Sequence, residues 1–209
     1  MSRKILISIR PEWVEKILNG EKTIEIRKTM PKCKLPCKVY IYCTKSKPNL
    51  CDRRNADIKL ADFEFVNNLD SDDVLLNGKV VAEFTLESLD NLIDYGEGIH
   101  YVDSEYYILD INYLRRYSCL TDEQISNYLG INKKTNHYNN GYAWNIDNLK
   151  IYDRPKELSE FTLPECEKSE SACENFKHLE VINTPYAYET NCVKPRKLTK
   201  APQSWCYLQ

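Results

Sequence analysis

The sequence lacks the features that would place the chain in a membrane or outside the cell. No apolar run approaches the roughly 20 residues that a membrane-spanning helix needs. The first residues, Met1-Ser2-Arg3-Lys4, lead into an alternating strand pattern and not into the apolar segment of a secretory signal. There is also no internal repeat or low-complexity tract. We therefore expect a cytoplasmic protein without a membrane segment.

Recognisable metal and disulfide patterns are also missing, although the chain has nine cysteines. This count is odd, and 209 residues is too long for the class of small disulfide-rich secreted proteins. No Cys-x-x-Cys pair occurs, and the three histidines are scattered. We expect reduced thiols, no cofactor and no metal. A zinc site between distant cysteines is the open alternative.

Charge is distributed unevenly along a chain whose formal net charge is -2. Residues 1–60 hold 15 Lys or Arg against 6 Asp or Glu, residues 61–192 hold 10 against 25, and residues 193–209 hold 4 against none. If the two ends pack side by side, they form one basic face that attracts an anion to a defined place. The alternative is that these cations point in all directions and are simply solvated.

Hydrophobic periodicity predicts a mixed fold of strands and helices. The predicted strands cover residues 4–10, a short segment from about 24 to 27, 38–44, 80–86 and 142–151, with a last strand in the aromatic-rich ending at 201–209. The predicted helices begin at Pro11 and end at Asn19-Gly20, cover 104–118, and cover 121–129 with a Thr121 to Gln124 capping box. Pro155 should limit the extension of the strand before it.

Two polar stretches interrupt this pattern. Residues 45–77 are rich in Asn, Asp and Lys and are expected to form a peripheral insertion or a weak extra hairpin, and residues 160–197 form a second insertion. The length favours one domain, 1–209, that carries both insertions. The strands are too few and too irregular for a parallel wound sheet. We therefore expect an α+β protein, a small mixed β-barrel with a helix after the first strand and peripheral helices.

The most informative stretch is Gly20 to Lys28, which closes a helix and opens a strand. Strand geometry directs alternate residues to opposite faces, so Ile24 and Ile26 can enter a core while Glu25 and Arg27 share the other face. Lys22 stands just before them. Such a cluster could bind a polar, planar, phosphate-bearing ligand, because a guanidinium makes bidentate bonds and a lysine acts as a mobile charge. The alternative is a solvent-exposed Glu/Arg pair on an edge strand.

The run from Ile9 to Lys28 resembles the opening of ASCH domains, a branch of the PUA-like superfamily with a GxKxxExR pattern. The four pattern positions here are Gly20, Lys22, Glu25 and Arg27. The later strands and the ending Pro202 to Tyr207 look like a subgroup common in phage and Firmicute genomes. The resemblance implies a PUA-like pseudo-barrel with a cleft between the barrel and its first helix, where relatives bind RNA or modified nucleosides.

The resemblance also implies which side chains line that cleft. Lys22, Glu25 and Arg27 would form its floor. By strand alternation, further ligand contacts are expected from Ser8 and Arg10 on the first strand and Tyr42 and Thr44 on the third, and in the terminal segment Gln203 and Ser204 are expected as polar contacts. Tyr42, Trp205 or Tyr207 could stack on a base, although barrel aromatics more often belong to a core.

Three functions remain open from the sequence. The first is a module that binds RNA or a modified nucleotide. The second is a hydrolase, because one ASCH branch hydrolyses N4-acetylcytidine with a lysine at the position of Lys22; Lys22 and Glu25 would then be catalytic. That branch has threonine where this chain has Glu25, and a carboxylate is more naturally a base or an acceptor than a nucleophile. The third is a module of phage origin that binds a protein. The oligomeric state is left open.

Overall fold

The computed structural model describes residues 3–54, 62–94, 99–130, 141–164, 176–180, 188–192 and 197–209. The strands are β1 (Lys4–Ile9), β2 (Ile24–Arg27), β3 (Cys37–Cys43), β4 (Asn49–Asp52), β5 (Phe63–Val66), β6 (Val74–Leu75), β7 (Val80–Leu86), β8 (Leu89–Asp94), β9 (Ile99–Val102), β10 (Gly141–Asn145), β11 (Asp147–Lys156), β12 (Phe176–Glu180), β13 (Tyr188–Cys192) and β14 (Trp205–Leu208). The helices are α1 (Pro11–Leu18), α2 (Ile111–Ser118) and α3 (Asp122–Leu129), with a 3-10 turn at Leu158–Glu160.

Two sheets form the body of the fold. The larger has the strand order β11-β7-β3-β1-β14, and the second has the order β2-β10-β8-β9. β1 runs parallel to β3, while its other neighbour, β14, is antiparallel to it. The other two sheets among the described residues are small and have the strand orders β5-β4-β6 and β12-β13. This mixed arrangement of strands and helices confirms the predicted α+β class.

The β1-α1-β2 unit forms where the sequence changes its periodicity. Pro11 occupies the first turn of α1, where its missing N–H costs no helical bond. The helix ends at Leu18 with Asn19 as its C-cap, and Gly20 follows with a φ of 79°, a left-handed conformation that glycine adopts without strain. The helix predicted to begin at Pro11 is therefore confirmed, and the turn at its end leads into β2.

The helix predicted over 104–118 is shorter than expected. The carboxylate of Asp103 accepts hydrogen bonds from the backbone N–H groups of Glu105 and Tyr107, which fixes a turn there. Asp110 then caps α2 by accepting from the N–H of Asn112. Aspartate side chains compete with the helix for backbone donors, so two of them delay its start. The predicted α3 is confirmed together with its capping box. No helix among the described residues has the length and apolarity needed to cross a membrane.

The strand predicted over 142–151 is in fact two strands that belong to different sheets. β10 pairs with β2 and β8, whereas β11 pairs with β7. Between them, the N–H of Ile146 donates to the carbonyl of Thr23, and Asn148, the second residue of β11, adopts a φ of 50°. Pro155 does not end β11. It lies on the edge strand of the large sheet, within a register break between Ile151 and Lys156, where no ladder donor is required.

The stretch 45–77 contains more structure than expected. It forms the sheet β5-β4-β6, and its Leu50, Phe63 and Leu76 are at most 2% exposed within the main hydrophobic cluster. This stretch is therefore part of the core of the protein. The second predicted insertion, 160–197, lies largely outside the described residues, and the single-domain organisation stays a prediction.

The large sheet has an apolar cluster on each face. Ile5, Ile7 and Ile9 of β1 face the main cluster. Leu6 faces a smaller cluster on the opposite side, together with Tyr42. Because β14 pairs with β1, the two basic ends of the chain lie side by side, as the charge distribution suggested they could.

A buried thiol makes the stability of this core depend on pH. Cys43 is 0% exposed, and burial, aided by the charge of Glu12, raises the pKa of its thiol to about 12 from the ordinary 9.0. Above pH 9 the unfolded chain loses this proton while the folded chain keeps it, so stability falls as the pH rises from about 9 to about 12. We expect a loss of about 1.4 kcal/mol per pH unit from this thiol. The free energy of unfolding, measured by urea unfolding between about pH 8 and pH 11, should fall less steeply with pH for Cys43→Ala than for the wild type. An unchanged dependence on pH would contradict this account.

Candidate functional site

A cavity of about 770 Å³ opens where β1, α1, β2 and α3 meet. We call it the candidate cavity. Its charged lining residues are Arg10, Lys22, Glu25 and Arg27. Of these, Lys22, Glu25 and Arg27 are buried and touch one another, and we call them the charged cluster.

Lys22 is the most deeply buried member of the charged cluster, at 2% exposure. Its Nζ donates to the carbonyl oxygens of Ile24 at 2.8 Å and of Ser118 at 2.7 Å, and it lies 3.3 Å from Oε2 of Glu25. All three ammonium protons thus have an acceptor. Burial lowers the pKa of Lys22, an effect that the negative charge of Glu25 opposes. Lys22 therefore holds β2 against the end of α2 and fixes one oxygen of Glu25.

Glu25 is held between two cations. Its Oε2 faces Lys22, and its Oε1 lies 3.0 Å from Nη2 of Arg27. A carboxylate offers about four lone-pair positions, so these two contacts leave acceptor capacity on each oxygen. Because the side chain is only 9% exposed and fixed at both oxygens, Glu25 is a pre-oriented acceptor on the floor of the candidate cavity.

Arg27 connects β2 to β1 and to the terminal segment. Its Nη2 donates to the carbonyl of Ser8 at 2.8 Å, and its Nη1 donates to Oγ of Ser204 at 3.3 Å. Its Nε–H is buried and has no acceptor among the described residues. A buried donor without a partner costs roughly 1–3 kcal/mol, which an acceptor from a bound ligand would recover.

Strand alternation explains why these charges are buried. Ile24 and Ile26 pack into a cluster with Leu114 and Ile125, so the residues between and after them turn toward the candidate cavity. β2 pairs with β10, and all four of its residues are buried. The predicted division of faces is confirmed, and the alternative of a solvent-exposed Glu/Arg pair is wrong.

Five more of the predicted ligand contacts line the same cavity: Ser8, Arg10, Thr44, Gln203 and Ser204. The hydroxyl of Ser8 donates to the carbonyl of Pro202 at 2.7 Å. The side chain of Arg10 is 72% exposed and lies 3.5 Å from Glu12. It therefore stands as a loosely paired cation facing solvent, in contrast to the buried charged cluster.

The three predicted stacking residues, Tyr42, Trp205 and Tyr207, are not among the residues that line the candidate cavity. Tyr42 lies opposite Ser8 in the sheet, but it is 3% exposed and packs in the cluster that holds Phe161. Trp205 donates from Nε1 to Oγ1 of Thr29 at 3.0 Å, and its ring lies 5.3 Å from that of Tyr207. Neighbours from distant parts of the chain thus hold the rings of Tyr42 and Trp205.

A wall of the candidate cavity was missed by the sequence reasoning. α3 supplies Gln124, Asn127 and Tyr128, and α1 supplies Trp13. The three α3 residues have the spacing i, i+3 and i+4, which gives one polar helix face, while Ile125 and Leu129 are buried on another. That stripe is the signal that could have marked the wall. Its proximity to β2 is a tertiary contact that periodicity does not encode.

Tyr128 stands at the Arg27 end of the charged cluster. Burial raises the pKa of Tyr128, while the positive charge of Arg27 acts in the opposite direction. The Nζ of Lys28 lies 5.4 Å from the centre of the Tyr128 ring. At the other end, Lys22 lies 5.6 Å from the ring centre of Trp13. An aromatic ring therefore stands at each end of the buried charges.

The lining carries three cations and one carboxylate, a formal net charge of +2. It offers a fixed acceptor, an unpaired donor, side-chain amides and two aromatic rings. This set suits a planar polar ligand that carries negative charge. Within the part of the chain that the structure describes, no group of three or more His, Cys, Asp or Glu side chains is placed to hold a metal ion.

The family model of the ASCH domain matches residues 7–201 of the chain. The chain therefore belongs to the ASCH domain family. Domains of this family have a PUA-like fold that generally binds RNA.

Among solved structures, the chain is similar to an ASCH protein from Zymomonas mobilis at 18% identity and a TM-score of 0.42, over 74% of this chain and 73% of the other. Two variants of that Zymomonas mobilis protein match at 18% identity and TM-scores of 0.41, over 74% of this chain and 76% or 74% of theirs. No curated protein matches the chain.

Proposed function

We propose that this ASCH domain binds RNA or a modified nucleotide, and that one nucleotide enters the candidate cavity above the charged cluster. The main support for this proposal is the charged cluster, whose buried residues Lys22, Glu25 and Arg27 lie at the floor of an open cavity of about 770 Å³. That volume lies within the range of about 300–1,000 Å³ that is typical of sites for small ligands. The net positive lining favours a ligand with a phosphate.

Glu25 and Arg27 are proposed to recognise the base. The carboxylate of Glu25 would accept from an exocyclic amine, as carboxylates accept from N4 of cytosine. The free Nε–H of Arg27 would donate to a ring nitrogen or carbonyl beside that amine. Because both groups are fixed before a ligand arrives, little side-chain entropy is lost on binding.

Tyr128 and Arg10 are proposed to hold the rest of the nucleotide. Tyr128 is 40% exposed on the α3 wall, so its ring is accessible for stacking. Arg10, exposed and only loosely paired, would contact the phosphate. Neither residue belongs to the charged cluster, although Tyr128 shares a side-chain hydrogen bond with Arg27.

Hydrolysis, with Lys22 and Glu25 as catalytic groups, receives less support. All three protons of Lys22 are donated to protein acceptors, which leaves the ammonium without a position for a substrate. Thr23 carries the hydroxyl that is nearest in sequence to Lys22 and Glu25. It is half-buried and does not line the candidate cavity. Binding is therefore our conclusion, and the cytoplasmic location stays a prediction.

Calorimetric titration with nucleoside monophosphates and short single-stranded RNA tests the proposal. Base stacking contributes roughly 1–3 kcal/mol, so Tyr128→Ala should weaken binding at least fivefold. Arg10→Ala should weaken it and reduce its salt dependence. The matched controls are Tyr107→Ala, a 67% exposed tyrosine outside the cavity, and Arg154→Ala on the edge strand β11.

Two results would contradict the proposal. One is the absence of binding to every monophosphate and RNA. The other is an equal effect of the control variants. Incubation with N4-acetylcytidine under the same conditions tests the hydrolase alternative, which requires release of acetate and its loss in Glu25→Gln.

A further inference from the structure

A second cavity, of about 360 Å³, lies near Lys4 at the start of β1 and extends to Lys156 on β11. Its lining includes Lys4, Tyr40, Lys156, Phe161 and Thr162. The rings of Tyr40 and Phe161 meet edge to face with centroids 5.0 Å apart. The cavity thus combines two lysines with an aromatic floor.

Both cavities open on the same face of β1. Alternation along the strand places Lys4, Leu6 and Ser8 on one side. Ser8 lines the candidate cavity, Leu6 is buried between the two, and Lys4 lines the second cavity. Lys4 and Ser8 are four residue steps apart along the strand, a distance of about 13 Å.

The segment 197–204 runs over the buried cluster from one cavity to the other, and we call it the basic segment. Near its start, Lys197 forms a bridge with Thr162, and the N–H of Leu198 donates to the carbonyl of Phe161. At its end, Gln203 and Ser204 line the candidate cavity. It has no acidic residue, and its two lysines are exposed.

Four lysines lie along this path. Among the described residues, none of Lys4, Lys156, Lys197 and Lys200 forms an ion pair, and Lys156 instead lies 4.2 Å from the ring centre of Tyr152. Glu160, the acidic side chain in the second cavity, is engaged by the backbone N–H of Glu157 at 2.7 Å. Among the described residues, the path thus carries four lysines without an ion pair against one carboxylate, that of Glu160.

We propose that the ligand is single-stranded RNA and that its phosphates follow the basic segment from the candidate cavity to the second cavity. This inference rests on the proposed function, since one nucleotide of the strand occupies the candidate cavity. At about 3.4 Å of axis per phosphate in a stacked strand, a path of about 13 Å spans about four nucleotides, or fewer when the strand is extended. Four lysines spread over that length match a backbone and not a single phosphate.

The test compares ligands of increasing length on one protein. The probes are the monophosphate that binds best and its homopolymer RNAs of about two, four and eight nucleotides, with inorganic polyphosphate of about eight phosphates as a polyanion control. The variant Lys197→Ala/Lys200→Ala is matched by Lys32→Ala/Lys34→Ala, which removes two exposed lysines outside both cavities. A second variant, Lys4→Ala/Lys156→Ala, tests the far end independently.

We expect affinity to rise up to about four nucleotides and then level off. Lys197→Ala/Lys200→Ala should weaken octamer binding about tenfold and lower the magnitude of the salt slope by about 1.4, with unchanged affinity for the monophosphate. Octamer binding no tighter than that of the monophosphate overturns the inference and leaves the proposed function intact. Equal binding of polyphosphate, or equal weakening by the control pair, also overturns it. A complete lack of binding by all nucleotides overturns the proposed function itself.

Discussion

Glu25→Ala is expected to lower the free energy of unfolding by about 3–5 kcal/mol, because it removes the carboxylate that compensates two buried cations. Lys22 would keep its two carbonyl acceptors but would lose its counter-charge, and Arg27 would keep only its bonds to Ser8 and Ser204. Glu25→Gln retains an acceptor of the same shape without the charge, so its loss should be about half as large. Urea unfolding monitored by circular dichroism measures both.

The matched control is Glu21→Ala, which removes the partner of an exposed ion pair with Lys16 at 2.9 Å. Exposed pairs contribute about 0–1 kcal/mol, so this change should be small. In the double variant Glu25→Ala/Lys22→Met, part of the stability should return, since one uncompensated charge is removed with the acid. A loss below about 1 kcal/mol for Glu25→Ala would contradict the buried pairing.

Phe63→Ala is expected to lower the free energy of unfolding by a similar amount, about 3–5 kcal/mol. Phe63 begins β5 in the predicted insertion, yet it is 2% exposed in the main cluster, and the guanidinium of Arg54 lies 5.2 Å from its ring centre. Truncation leaves a cavity and removes this contact. The change tests whether residues 45–77 belong to the cooperative core.

A neighbour in the same strand provides the control. Phe65 is 42% exposed, so Phe65→Ala should change the stability by less than about 1 kcal/mol. If residues 45–77 unfold independently, the main transition of Phe63→Ala would match that of the wild type, and the account of the core would be wrong.

The charged cluster could be predicted from the sequence because its signals are local. The stop at Gly20 and the alternation of Ile24 with Glu25 depend on neighbouring residues only, and strand geometry then determines which side chains share a face. The three strands within 45–77 could not be predicted in this way. They are only four, four and two residues long, and they lie in a stretch rich in Asn, Asp and Lys without the helix stop that marks the start of β2.

The walls of the candidate cavity depend on contacts between distant segments. Alternation predicted that Ser8 and Tyr42 both approach the ligand, and the two residues do pair in the sheet, but the packing of Phe161 over that part of the sheet buries Tyr42. In the same way, the polar face of α3 is visible in the sequence, whereas its position beside Arg27 follows from packing against β2. Local pattern gives the orientation of a side chain, and tertiary structure decides what it meets.

The Nε–H resonance of Arg27 offers the most direct test of the central claim, that a nucleotide binds on the charged cluster. This donor is buried and has no acceptor among the described residues. Titration of nitrogen-15-labelled protein with the monophosphate that binds best should shift this resonance, with a midpoint equal to the calorimetric Kd. Saturable binding that leaves the Arg27 resonance unmoved would show that the nucleotide binds elsewhere.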